Sequence, residues 1–261
     1  MDNMPRVPEG YNTIYSNGHM IWLDACLQQI MVADILLKMG FYLERWQEIE
    51  EFEDDIKKLS EYINNNMWSE KDAFLYDQYA DNSLSTTQGI YAYWALHTDV
   101  LPKDRLDALV SHLEDTTKFN RPHRVASLAA DHPKYKANGR YWTGGVWPGT
   151  NYMVISGLTD KGYRRLAHDI TMNHYNNVLK VYEKTGTFWE YYAPEKAEPT
   201  DSATPDAHAP KSGKDAVTCP HTKANTPSTA SPSAAKMAKA VSRKPENSPS
   251  AASSAPERSP E

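Results

Sequence analysis

From residue 197 to 261 the chain has no Leu, Ile, Phe, Trp or Tyr, yet this stretch holds 10 of its 17 prolines. So little apolar surface cannot offset the entropy of ordering a backbone, and this Ala/Pro/Ser-rich tail is expected to be disordered. One folded domain over residues 1–196 is expected to hold every Trp, Tyr and Phe. Runs near the roughly 18 consecutive apolar residues of a membrane span are missing, and residues 1–5 read as neither the basic nor the apolar region of an export signal. That excludes a membrane partner and points to a soluble, cytoplasmic chain. Cysteine is scarce: Cys26 falls in a helical pattern and Cys219 in the tail, so no disulfide framework is expected. Positive charge is not in surplus either. The first 196 residues carry 20 Lys and Arg against 27 Asp and Glu, which makes nucleic acid an unfavourable partner.

The dominant pattern in the sequence is helical. Apolar residues at three- and four-residue steps predict helices over about 17–39, closed by Gly40, and about 44–67. The acidic run Glu48, Glu50, Glu51, Glu53, Asp54, Asp55 reads as the solvated face of the second. An extended patch follows at Phe74-Leu75-Tyr76, then a short helix over about 87–97 and another opened by Pro102. A long loop over 120–150 precedes helices at about 151–158 and 163–182. Scarce strand signals and repeated helical hairpins define an all-α chain, a toroid or bundle with aromatic-rich loops where a site would sit.

Three loop segments carry chemistry. They are Met1-Asp2-Asn3-Met4-Pro5-Arg6, Gly139-Arg140-Tyr141-Trp142-Thr143-Gly144-Gly145-Val146-Trp147-Pro148, and Gly186-Thr187-Phe188-Trp189-Glu190-Tyr191-Tyr192-Ala193-Pro194-Glu195. Aromatic faces beside carboxylates suit sugars, whose C–H faces stack on rings while acids handle hydroxyls and protons. Hydrolysis of a glycosidic bond needs two carboxyl groups, one protonated and one ionised. Asp2 and Glu190 can supply that pair. Plainer readings stand beside these: a turn or cap for Asp2, a backbone-bonded loop acid for Glu190, and ring packing for Tyr141, Trp142 and Trp147.

Taken in order, the three segments resemble the catalytic domain of glycoside hydrolase family 63 and its mannosylglycerate and glucosylglycerate hydrolase relatives, and more remotely the trehalases. The resemblance covers residues 1–195. It implies an (α/α)6 barrel and inverting hydrolysis of an α-linked glucoside or oligosaccharide, or of mannosyl- or glucosylglycerate. On the matching positions Asp2 is the general acid and Glu190 the general base. Tyr141, Trp142 and Trp147 line the sugar pocket, and Asn3 and Arg6 neighbour the acid. Arg6 has a second reading, as the structural partner of a carboxylate. No metal or other cofactor is implied.

The chain also departs from that pattern. Resembling chains carry helices before the Asp-Asn motif and a closing helix after the Glu motif, and often a basic residue where Thr143 stands. About six helical segments are visible, against twelve in six hairpins, so a partial barrel truncated at both ends is expected. Its uncovered faces would favour self-association. An α-amino group next to Asp2 would favour the ionised form, against the needs of a general acid. The alternative is therefore a non-catalytic fragment that binds carbohydrate weakly. Tyr79 and Gln88 are weaker site candidates, and His19 and His97 read as helix-end residues. His123 and His132 lack metal-ligand spacing, and His168 and His174 do not share a helix face.

Overall fold

The computed structural model describes residues 1, 3–11, 20–45, 47 and 49–196, so the expected disordered tail, with Cys219, lies outside the described residues, as do Asp2, His19 and Glu48. Among the described residues, four two-residue strands pair antiparallel: β1 (Met20–Ile21) with β4 (Gln78–Tyr79), and β2 (Trp68–Ser69) with β3 (Phe74–Leu75). The remaining regular structure is helical. It comprises α1 (Leu23–Tyr42), α2 (Glu51–Asn66), a 3₁₀ helix (Ile90–His97), α3 (Lys103–Ser111), α4 (Pro148–Asp160) and α5 (Arg164–Thr185).

Helix α1 follows from its spacing: Leu23, Leu27, Ile30 and Ala33 fall on one face and are buried. It starts later than the periodicity predicts, because Met20 and Ile21 pair with Tyr79 and Gln78 as strand. It also runs through Gly40 instead of stopping there. A Cβ on Gly40 would lie 2.3 Å from Ile49 Cδ1, so this glycine admits the loop that returns to α2 and does not cap the helix. Glu44, at φ 56°, turns the chain in the left-handed region, and α2 therefore begins at Glu51. Its first turn holds Glu51, Glu53 and Asp54, exposed beside the positive end of the helix dipole. Helix α4 opens with Pro148 in its first turn, where the missing N–H costs nothing. Gly186, at φ 70°, ends α5.

Helices α1 and α2 pack as one hairpin and α4 and α5 as another. The 3₁₀ helix touches both α1 and α4, and its Ile90, Tyr91, Ala92, Tyr93, Ala95 and Leu96 are all buried, so it is the centre of the core. Phe74 and Phe119 stack at 6.2 Å, and Tyr93 meets Phe119 edge-on at 5.6 Å. Val32, Ile35 and Met39 of α1 and Met172, Tyr175 and Leu179 of α5 remain exposed. Among the described residues no helix is long and apolar enough to cross a membrane.

Along α1, Leu27 is fully buried and Ile35 is 46% exposed. Leu27→Ala is expected to lower unfolding free energy by about 2–5 kcal/mol and Ile35→Ala by less than about 0.5 kcal/mol, as read by urea denaturation.

Candidate active site

The start of the chain is tied down at three points. Met4 is buried, and the Asn3 amide bridges the aromatic loop: its Nδ2 donates to Arg140 O at 3.0 Å and its Oδ1 accepts from Trp142 N at 2.8 Å. Arg6 takes the structural one of its two readings. Nε and Nη2 donate to Asp77 at 2.8 and 2.7 Å, while Nη1 and Nη2 donate to Asp24 at 2.9 and 2.7 Å. Its guanidinium carbon lies 3.7 Å from the Tyr91 ring centroid and 4.5 Å from that of Trp22. With edge and faces covered, the group anchors the start of the chain and is not open to a ligand. Burial alone would lower the Arg6 pKa; the hydrogen bonds to Asp77 and Asp24 reverse this and raise it, so the charge persists. Burial pushes the Asp77 carboxyl up, opposed by Arg6 and by the Leu23 N–H at 2.9 Å. Asp77→Ala leaves that charge half-paired in the core, and a loss of about 3–5 kcal/mol in thermal or urea unfolding is expected.

The aromatic loop is shaped by close backbone approach. A Cβ on Gly145 would stand 2.2 Å from Tyr141 O, a backbone atom that cannot swing away. Tyr141 itself sits at φ 65°. This fold-back lays Trp142 flat on Trp147, with centroids 4.0 Å apart and planes 6° from parallel. Tyr191 covers the other face of Trp147 at 4.7 Å, and Tyr141 meets it edge-on at 5.0 Å. Trp147 is therefore an inner slab of a three-ring stack. Its faces are covered, and it borders the neighbouring groove by its edge. Thr143 is buried and donates to Arg140 O at 2.8 Å.

The Glu190 segment joins the same cluster. Val146 and Tyr192 exchange two backbone hydrogen bonds of 2.9 Å, and Tyr191 enters the stack. Trp189 N donates to the Tyr192 hydroxyl at 3.1 Å, closing a turn whose outer residue, Glu190, is exposed. Further on, Glu195 accepts from Arg121 at 2.7 and 2.9 Å and from Tyr135 at 2.7 Å, and the Arg121 hydrogen bonds hold its carboxyl below the usual range. Asn3, Tyr141, Trp142, Trp147 and Glu190 thus belong to three segments that meet in one place, whereas Arg6 points into the core. A groove of about 440 Å³ borders the stack, lined by Met31, Trp94, His97, Trp142, Trp147 and Tyr152 among others. Trp94 and His97 are additions to the expected site; His97 Nε2 donates to Met153 O at 2.9 Å. A larger hollow of about 970 Å³ between the end of α1 and the start of α2 is lined by no expected site residue.

Gln88 and Tyr79 satisfy internal partners, Tyr76 at 2.7 Å and Ser85 at 3.2 Å. Among the described residues no group of three His, Cys, Asp or Glu could hold a metal ion. Two histidines with no usable spacing do meet: His123 Nε2 and His174 Nδ1 are 3.1 Å apart. Burial lowers the His123 pKa to about 3, helped by His174 and opposed by the Ala193 carbonyl, and burial lowers that of His174 to about 4. Both are thus neutral near pH 7. Their folded pKa values lie below the unfolded value, so the unfolded chain takes up protons first as pH falls. Stability is full above about pH 6.5 and declines toward pH 4 and then 3, by up to about 1.4 kcal/mol per pH unit for each imidazole. Urea titrations at about pH 7 and about pH 4.5 read this slope, and a flat profile would contradict a neutral pair.

A family model for the mannosylglycerate hydrolase MGH1-like glycoside hydrolase domain matches residues 13–208. An uncharacterized protein of Borreliella burgdorferi is 27% identical over 201 residues, covering 76% of this chain and 40% of that protein. A probable mannosyl-oligosaccharide glucosidase of Schizosaccharomyces pombe is 26% identical over 165 residues, covering 54% of this chain and 20% of the relative. The crystal structure of the family 63 mannosylglycerate hydrolase from Thermus thermophilus superposes with a TM-score of 0.59 at 20% identity, over 68% of this chain and 41% of that one. The likeness extends to the fold, that of six-hairpin glycosidases. The chain spans less than half the length of these proteins.

Proposed function

We propose, from the premise that the chain belongs to the mannosylglycerate hydrolase MGH1-like glycoside hydrolase family, that it serves inverting hydrolysis of an α-linked glucoside or oligosaccharide, or of mannosyl- or glucosylglycerate. One observation carries this reading: the Asn3 amide and the Trp142–Trp147–Tyr191 stack bring the neighbours of Asp2 and Glu190 to a single aromatic cluster. Asp2 itself lies outside the described residues. In the reaction, Asp2 gives its proton to the glycosidic oxygen as the bond to the anomeric carbon breaks. Glu190 takes a proton from the water that attacks that carbon from the opposite face. The configuration inverts, and the carboxyl groups need roughly 6.5–9.5 Å between them to admit the water.

The environment of Glu190 fits a base. It is exposed at the tip of a turn whose flanking groups are fixed, so the carboxylate keeps water contact while its backbone does not wander. The outer face of Trp142 is the surface on which a pyranose ring would lie, next to the groove that Trp94 and His97 help to line. The names of the relatives supply the substrate classes, a mannosyl-oligosaccharide and mannosylglycerate.

Glu190→Gln is expected to lower release of reducing sugar at least about 10³-fold while sugar binding, read by calorimetry, is retained. Trp142→Ala is expected to weaken that binding by about 1 kcal/mol. Hydrolysis that survives in Glu190→Gln would overturn the assignment. A wild-type chain that binds the sugar yet releases no reducing sugar is instead the non-hydrolytic binder.

A further inference from the structure

His123 and His174 are buried titratable groups that the reaction above does not use. Nothing in their sequence context marks them, yet the fold joins them behind the Glu190 turn. Their nitrogens lie 3.1 Å apart, and the two rings sit 5.6 and 6.3 Å from the Tyr192 ring. Two imidazoles at that separation hold one proton between the facing nitrogens, one donating and the other accepting. The two segments that carry them are tied together. His174 stands on α5, and the same helix grips the His123 segment: Asn173 Oδ1 accepts from Arg124 N at 2.9 Å, and the Asn173 and Asn177 amides donate to Pro122 O at 3.0 and 3.3 Å. His123 N donates to Pro194 O at 2.8 Å, which reaches the far side of the Glu190 segment.

The linkage continues through Tyr192. Its backbone pairs with Val146, and its hydroxyl accepts from Trp189 N. Glu190 therefore stands between a residue whose amide Tyr192 holds and Tyr191, which the Trp147 stack holds. A continuous set of contacts thus runs from α5 through His174, His123 and Tyr192 to the turn. Of the charged groups nearby, Glu195 is engaged by Arg121 and Tyr135.

We infer that His123 and His174 are positioning residues for Glu190: their mutual hydrogen bond presses Tyr192 against Val146 and so fixes the turn that presents the carboxylate. The inference rests on the reading of Glu190 as the base, but its principal test needs no turnover. Backbone amide exchange in the full chain is compared for wild type, His174→Leu and His174→Asn, the last keeping a polar group where Nδ1 lies. His174→Leu is expected to speed exchange at Val146 and Tyr192 by at least about tenfold while Leu27 and Ile30 in α1 stay unchanged. His174→Asn is expected to restore the rates to within about threefold of wild type. No acceleration in the leucine variant, or equal acceleration in α1, would overturn the inference. If that variant does not fold, nitrogen-15 imidazole spectra of the wild-type chain decide: a protonated nitrogen at one of His123 Nε2 and His174 Nδ1 and a bare one at the other supports it, and the same state at both refutes it. In turnover, the leucine variant is expected to lower kcat with KM unchanged. Glu190→Gln tests the catalytic reading separately, and its failure leaves the exchange result standing.

Discussion

The stack of Trp142, Trp147 and Tyr191 is the contact on which the arrangement of the site depends. It joins rings from two segments more than forty residues apart in sequence, and it needs the Gly145 fold-back to form. Parallel rings at these spacings gain dispersion and apolar burial together, each stacked pair adding about 0.5–1.5 kcal/mol beyond its area. The Val146–Tyr192 backbone pair lies beside it and supplies direction that stacking alone lacks. Together they define where the Glu190 turn must stand relative to the aromatic loop.

A second constraint acts at the start of the chain. There Met4 is buried in the core, and the Arg6 fork to Asp24 and Asp77 adds an ionic tie beside it. A buried guanidinium is tolerable only because two carboxylates and two rings surround it. The result is a chain start held to Asp24 of α1 and to Asp77 by ion pairing, with the guanidinium over the Tyr91 ring, whereas the Glu190 segment is held by rings and backbone. The two sides of the site rest on different physics, and conditions that weaken one need not weaken the other.

Much of the helical architecture was legible because α1, α2, α4 and α5 obey apolar periodicity, and the end of α5 because Gly186 can adopt a positive φ. Other features depend on partners distant in sequence. The pairing of Met20–Ile21 with Gln78–Tyr79 shortens α1, and Ile49 explains why Gly40 lies inside the helix. The three aromatic and acidic segments were legible as a set, and the fold joins the parts of them that it describes. The pairing of Arg6 with carboxylates was one of its two readings, whereas the sandwiching of Trp147 was not legible, since residue type says nothing about which face of a ring stays open. Nor was the meeting of His123 with His174, which no local spacing encodes.

The parallel contact of Trp142 with Trp147 has an optical side. Two indoles 4.0 Å apart and nearly parallel share their excited states. Their electronic transitions are coupled at that distance, which sets the pair apart from a lone indole. Any molecule settling on the outer face of Trp142 perturbs that shared transition, so the protein carries an intrinsic chromophore at the place where a sugar is expected to rest.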